Sequence, residues 1–450
     1  MSLTQDQEYG AKVFTEFLDD PDARAMLLTG GPGVGKSYLV ANLLKSLPGG
    51  MEVALTTPTN KAVRVIRKLA EDAGITSADT LTIYSLFGLR LMPNGEVKSI
   101  GAGGRNRAGE YHLVVCDEAS MVNPHLMSCI EAEMRDSVTK WLIVGDRDQI
   151  TPINFDFSPA FDITTAYSVE LTKVVRQAEG NPILELLPFI REGIHGAGIP
   201  WKALAHTNVS KETGNGVFVF HRDNREQKAR FAAWMKAGYS TKKYGDDGDY
   251  MKTIAWVDKG RAKTIPKYTR AIRRAIYGDA INGHPVLVGE KILCANPIQD
   301  YDGDEPMIIA PIDSEGVIMS CEEGLHPIAQ EYRYGDFKCW CLKIYFHDIG
   351  TVDAWMIHED SERAFYKKKQ ELFAAAKENS RLWGTFWKFN DMFADIRAAH
   401  AITAHRSQGS TYENVFVDVG DVLSNRDETE ALKILYTAIS RARSNVMLLI

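Results

Sequence analysis

The sequence predicts an α/β protein built on two parallel-sheet domains, and three observations carry that expectation. First, the apolar run Ala25-Met26-Leu27-Leu28 leads into Gly30-Gly31-Pro32-Gly33-Val34-Gly35-Lys36-Ser37, and a helical pattern follows over residues 38–44. Strand, glycine-rich turn and helix in that order make one βα unit. Second, short apolar runs alternate with helical patterns through the first third: Val53-Ala54-Leu55, Leu113-Val114-Val115-Cys116 and Trp141-Leu142-Ile143-Val144-Gly145. Runs without polar alternation suit parallel strands buried on both faces. Third, a strand-helix pattern over residues 250–278 is followed much later by Val415-Phe416-Val417 and Val446-Met447-Leu448-Leu449-Ile450. Those segments supply core strands for a second, split domain.

The expected partition is residues 1–170 for the first domain, 171–285 with 396–450 for the second, and 286–395 as an insertion. Residues 89–110 interrupt the first domain with the turn-like Met92-Pro93-Asn94-Gly95-Glu96 and the loop-like Gly101-Ala102-Gly103-Gly104-Arg105. They read as a small inserted hairpin. The large insertion is strand-rich at Cys339-Trp340-Cys341-Leu342-Lys343-Ile344-Tyr345-Phe346 and helical over 361–379.

Of the 450 residues, 45% are hydrophobic and 25% charged, as in ordinary soluble globular chains. No apolar run approaches the roughly 20 residues of a membrane span. The polar start Met1-Ser2-Leu3-Thr4-Gln5-Asp6 has no signal-peptide core, so a cytoplasmic location is expected. The six cysteines include no C-x-x-C pair. Cys339 and Cys341 share a strand face, and free thiols are expected rather than a metal site. A net charge of −7 argues against indiscriminate nucleic-acid coating. A local basic track remains open, because Lys259, Arg261, Lys263, Lys267, Arg270, Arg273 and Arg274 occur with no acid among them. A solvated helix face is the equal alternative, with Tyr268, Ile272 and Ile276 as its buried stripe.

The glycine-rich turn has the spacing of a phosphate-binding loop. Its backbone N–H groups turn inward to cradle phosphates, Lys36 meets the β- and γ-phosphates, and the Ser37 hydroxyl suits Mg²⁺. Asp117-Glu118 ends a core strand after that loop. There, Asp117 contacts the metal shell and Glu118 polarises the attacking water. Gln149 follows the next strand, where its amide can bond the γ-phosphate and report its loss.

The series resembles superfamily 1 helicases. The loop, Asp117-Glu118-Ala119-Ser120 and Gly145-Asp146-x-x-Gln149 resemble motifs I, II and III, and Leu3-Thr4-x-x-Gln7 the Q motif. Thr57-Pro58-Thr59-Asn60-Lys61-Ala62 is similar to motif Ia, and Thr82-Ile83-Tyr84-Ser85-Leu86 to the segment before the inserted hairpin. Leu171-Thr172-x-x-x-Arg176 resembles motif IV. The run from Ala401 through Thr411 resembles motif V, and Leu435-Tyr436-Thr437-Ala438-Ile439-Ser440-Arg441-Ala442 motif VI. Set, order and length resemble those of the RecD-like, 5′-to-3′ branch, most of all its phage members.

The resemblance implies two RecA-like domains around an ATP cleft. It places a pin-like hairpin at 89–110, with Leu91-Met92 and Pro93 as a wedge, and an SH3-like domain at 286–395. There, Trp383, Phe386, Trp387 and Phe389 either brace the pin or a partner or form a local core. ATP and Mg²⁺ are the implied cofactors. Gly31, Pro32, Gly33, Val34, Gly35, Lys36, Ser37, Tyr38 and Gly409 would surround the nucleotide, with Ser37 and Asp117 at the metal. Gln7 would read adenine, although Thr4-x-x-Gln7 is also a capping box. Arg176 and Arg441 would be arginine fingers, which stabilise the transferring phosphoryl group when the cleft closes. Pro58, Thr59, Asn60, Thr82, Tyr84, Trp256, Thr403 and His405 would meet DNA, with Tyr84 and His405 stacking on bases. The implied activity is ATP-driven movement on single-stranded DNA by a monomer acting at single-strand/duplex junctions. Replication or single-strand-binding proteins would be its partners, in the host cytoplasm if the chain is phage-encoded. The sequence departs from the family at Trp256-Val257-Asp258, at Tyr84 in place of the usual His, and at Ala438-Ile439-Ser440.

Overall fold

A computed structural model describes residues 3–75, 78–91, 97–99, 105–152, 155–174, 180–256, 264–300 and 307–450. The chain forms two compact units. Met1–Trp234, Asp249–Thr264 and Thr403–Ile450 make the first, and Met235–Gly248 with Ile265–Ile402 make the second.

The first unit holds the two RecA-like domains. One sheet runs in the spatial order Ala78–Thr82, Val53–Thr57, Leu113–Cys116, Lys140–Gly145, Ala25–Gly30, Ser168–Leu171. Every pairing in it is parallel. The strands Ala25–Gly30, Val53–Thr57 and Leu113–Cys116 are buried throughout, which is why they read as unbroken apolar runs. Ser168–Leu171 alternates exposed and buried residues at the edge. The other sheet carries, in this unit, Met251–Ala255, Tyr412–Asp418, Ala442–Leu449, Gly216–Phe220 and Asn208–Val209 in spatial order. Only the last pairing is antiparallel. Parallel sheets place their ligand crevice at the carboxyl ends of the strands, and the motif residues follow those ends.

Within residues 89–110, Leu89–Leu91 pairs antiparallel with Val97–Ser99, a short hairpin as expected. Met92 and Pro93, the expected wedge, lie outside the described residues, as do Asp258 and the basic residues Lys259, Arg261 and Lys263.

The second unit is built on an antiparallel five-stranded sheet. Its spatial order is Gly350–Ile357, Lys338–Phe346, Glu315–Leu325, Lys291–Cys294, Ile396–Ala398. The helices Glu362–Glu378 and Trp383–Asp391 stand beside it. Phe365, Phe389 and Phe393 pack with Phe337 in one cluster. Phe386 is buried and Trp387 exposed, so most of the aromatic run serves a local core. The helix Thr264–Tyr277, expected with the second RecA-like domain, groups from Ile265 onward with this unit. Its Arg273 makes a forked ion pair to the buried Glu290, at 2.6 and 3.0 Å. A buried carboxylate requires such a partner, and that pairing favours the assignment. All six cysteines are free, and Cys116, Cys294 and Cys339 are buried.

Candidate nucleotide site and DNA-facing residues

The phosphate-binding loop leaves the central strand Ala25–Gly30 and enters the helix Lys36–Lys45. Gly33 and Gly35 both have φ of 80°, a left-handed conformation that side chains resist. Helix-start N–H groups have no partner within the helix and are available to an anion. Lys36 Nζ donates to the Gly30 and Gly31 carbonyls at 2.7 and 2.9 Å. Burial lowers its pKa, while Asp146, Asp117 and Glu118 oppose that shift. The lysine therefore lies in the field of these carboxylates. Of the other loop positions, Pro32, Gly33, Gly35, Ser37 and Tyr38 are half-buried, and Gly31 and Val34 are buried.

Gln7 is buried, and its amide is spent twice. Its Oε1 accepts from Thr4 N–H at 3.0 Å, completing the capping box, and its Nε2 donates to the Val34 carbonyl at 3.2 Å. This geometry caps the first helix and fastens it to the loop, so Gln7 stands against the phosphate-binding loop.

Asp117 and Glu118 follow the strand Leu113–Cys116. Glu118 has φ of 56°, unusual for a residue with a side chain and typical of functional turns. Its N–H bonds Asp117 Oδ1 at 2.8 Å. In the next turn, Asp146 is buried and accepts from Gln149 Nε2 at 3.4 Å and from the Tyr436 hydroxyl at 3.1 Å. Burial raises the Asp146 pKa and Lys36 counters it. Gln149 Oε1 is buried with no hydrogen-bond partner among the described residues. This buried acceptor, in the same turn as Asp146, would suit a phosphate-bound Mg²⁺ or its waters, with Ser37 and Asp117 as candidate oxygen ligands.

The second RecA-like domain closes on this site through residues the sequence did not single out. Thr437 Oγ1 accepts from Ile150 N–H at 3.1 Å, and Gln408 Nε2 donates to the Ile150 carbonyl at 3.3 Å. Lys61 Nζ donates to the Tyr412 hydroxyl at 2.8 Å. Tyr436 and Gln408 lie inside quoted motifs, so motif membership was their only available signal. Arg441 is buried; its Nε donates to Thr437 O at 3.2 Å and its Nη1 to Ser410 O at 3.4 Å. Its charge still reaches Lys36, whose pKa it lowers. Arg176 lies outside the described residues. Gly409, expected at the nucleotide, packs on the helix Asn60–Asp72: a Cβ there would stand 2.6 Å from that of Ala62.

The DNA candidates share one local device. Thr59, Thr82 and Thr403 each cap a helix, accepting from Ala62, Ser85 and Arg406 N–H at 3.3, 3.0 and 3.4 Å. Asn60 and Trp256 are half-buried and Pro58 is buried; Trp256 N–H bonds Asp421 at 2.7 Å. Tyr84 corrects an expectation. It is 6% exposed in the cluster around Trp141, and burial pushes its hydroxyl pKa to about 12. No ring face is left for a base, because Ile83 and Leu86 draw the short helix into the core. His405 is half-buried, and desolvation lowers its pKa, favouring neutral imidazole.

Residues 3–209 match the AAA domain family and residues 398–449 the UvrD-like helicase C-terminal domain. The chain is similar to the ATP-dependent RecD2 DNA helicase of Deinococcus radiodurans, 34% identical over 196 residues. That match covers 42% of this chain and 25% of the relative, so the chain spans about a quarter of that protein. It is also similar to the ATP-dependent DNA helicase dda of Enterobacteria phage T4, 23% identical over 454 residues and 93% of each chain. Among solved structures, Pif1 helicase from Candida albicans shares the fold with a TM-score of 0.51 and 17% identity, covering 100% of this chain and 94% of that one. Taken with the motif order and the paired RecA-like sheets, these matches show a chain homologous to the RecD2 and Dda helicases, carrying an AAA domain and a UvrD-like helicase C-terminal domain.

Proposed function

We propose that this protein is an ATP-dependent DNA helicase that moves 5′ to 3′ along single-stranded DNA and opens duplex at junctions. The observation that carries the reading is the phosphate-binding loop with Lys36 on the Gly30 and Gly31 carbonyls, while Thr437 and Gln408 of the second RecA-like domain bond Ile150 in the motif III turn. A site split between two domains lets ATP draw them together and hydrolysis release them. The names of the RecD2 and Dda relatives support helicase activity, and the resemblance to their branch supports the polarity.

In this mechanism Lys36 leaves the Gly30 and Gly31 carbonyls to meet the phosphates. Glu118 accepts the proton of the attacking water, and Gln149 Oε1 orients that water. Ser37 and Asp117 would hold Mg²⁺, which would supply positive charge against the phosphates. Arg441 supplies a guanidinium when the cleft closes. The capped helix starts at Thr59, Thr82 and Thr403 offer N–H groups to the DNA backbone.

The test uses two partial duplexes, one with a 5′ single-stranded tail and one with a 3′ tail, with and without ATP. Opening of the 5′-tailed substrate alone, and only with ATP, is expected. Opening of the 3′-tailed substrate alone would overturn the polarity. If neither opens while single strands still stimulate hydrolysis, the protein is a remodelling ATPase.

A further inference from the structure

Arg191 belongs to no motif, yet it stands at the phosphate-binding loop. It lies in the last turn of the helix Pro182–Glu192, which packs on the helix Glu428–Ser440 of motif VI. A Cβ added at Gly31 would lie 3.9 Å from Arg191 Nη1 and 3.4 Å from the Tyr436 hydroxyl. The guanidinium is held from behind: its Nε donates to Asp148, whose side chain is 3% exposed. His195 Nε2 stands 2.9 Å from the other Asp148 oxygen. Nη2 reaches only the exposed Glu170, at 3.6 Å, an approach too long and too wet to fix it.

The chemistry of the fork then matters. A guanidinium can keep one N–H on a carboxylate and present others to phosphate in the same plane. Asp148 lies between Asp146 and Gln149, which are hydrogen-bonded to each other in the motif III turn. Arg191 and His195 come from the segment that follows motif IV, whereas Asp148 and Gly31 come from the first RecA-like domain. The pairing thus bridges the two domains at the point where the phosphate count changes during hydrolysis.

We propose that Arg191 senses the nucleotide state: Nη1 binds a terminal phosphate oxygen of the triphosphate while Nε stays on Asp148, joining motif III to the helix Pro182–Glu192. This rests on the nucleotide reading of the phosphate-binding loop. Triphosphate engages the fork and diphosphate does not, so Arg191 contributes to the preference for one over the other. Asp148 acts through Arg191 and is a positioning residue.

The experiment titrates the full chain, with Mg²⁺, with fluorescent ADP and with a fluorescent non-hydrolysable ATP analogue. Arg191→Gln is expected to weaken the analogue about ten-fold and ADP by less than about two-fold, and to lower the thermal midpoint because the buried Asp148 loses a partner; adding Asp148→Asn should restore the midpoint without restoring analogue affinity. Arg191→Lys keeps charge without the fork and should recover only part of the loss. Asp148→Asn added to Arg191→Gln should cost no further analogue affinity, because the two act as one unit. Equal weakening of both nucleotides, or none, overturns the proposal. Lys36→Ala is the control and should weaken both ligands. If it binds both like wild type, the nucleotide reading itself fails and takes the Arg191 assignment with it.

Discussion

At the residue scale, two changes separate binding from chemistry. Glu118 carries its carboxylate on a left-handed turn one residue past Asp117. Glu118→Gln keeps size and backbone tolerance but cannot accept a proton. Turnover should fall by about 10²–10⁴, the usual contribution of a general base, with ATP affinity retained. A loss of less than about ten-fold in steady-state kinetics would remove Glu118 from that role. Lys36→Ala should abolish DNA-stimulated hydrolysis while single-strand binding, measured by fluorescence anisotropy, survives. The capped segments at Thr59, Thr82 and Thr403 do not depend on that lysine. Wild-type turnover in Lys36→Ala would void the phosphate-binding-loop assignment. These residues were legible in sequence because their spacing is fixed by phosphate geometry. Tyr84 was misread because a motif position reveals residue type and not burial, and here Ile83 and Leu86 pull the ring into the core.

At the element scale, the buried strands were legible and the amphipathic edges were not. Leu113–Cys116 is apolar at every position because both faces are covered, whereas Ser168–Leu171 shows only short alternation that a loop can mimic. The second unit offers a pH test of one element junction. His326 is fully buried, caps the helix Pro327–Glu331, and places Nε2 3.0 Å from the Met392 carbonyl. Burial lowers its pKa to about 4, so the folded state holds neutral imidazole. Above about pH 6.5 neither folded nor unfolded chain carries that proton, and stability is unaffected. As pH falls from there towards 4, the unfolded chain binds a proton that the native one refuses, and stability drops by about 3 kcal/mol before levelling off. Denaturant midpoints between pH 7 and 4, followed by tryptophan fluorescence, should show this decline. His326→Asn preserves a capping acceptor and should flatten the slope. An identical slope in the variant would assign the decline to other groups.

At the scale of the whole molecule, the two RecA-like domains were legible as separate runs of motifs, but the contacts that couple them were not. Arg191 has no motif, and Gly409 lies in a motif for a reason the sequence does not disclose. Gly409 is the point where motif V crosses the start of the helix Asn60–Asp72. Its φ is 72°, and an added Cβ would stand 2.6 Å from the Ala62 Cβ and 3.0 Å from its Cα. Backbone so close has no rotamer to yield, so alanine must push the crossing apart. The adjacent Lys61–Tyr412 hydrogen bond, at 2.8 Å, would lengthen with it. Gly409→Ala should therefore uncouple the domains: nucleotide binding at the loop persists, while DNA-stimulated hydrolysis falls about ten-fold or more. Gly196→Ala isolates the other cost, because Gly196 has φ of 102° but nothing within 4 Å of an added Cβ. It should bear only the conformational penalty of about 1–2 kcal/mol and keep its DNA stimulation. If the two variants respond to DNA alike, strain alone explains Gly409 and the crossing does not carry the signal. A selective loss in Gly409→Ala would locate the coupling between DNA track and ATP site at this crossing.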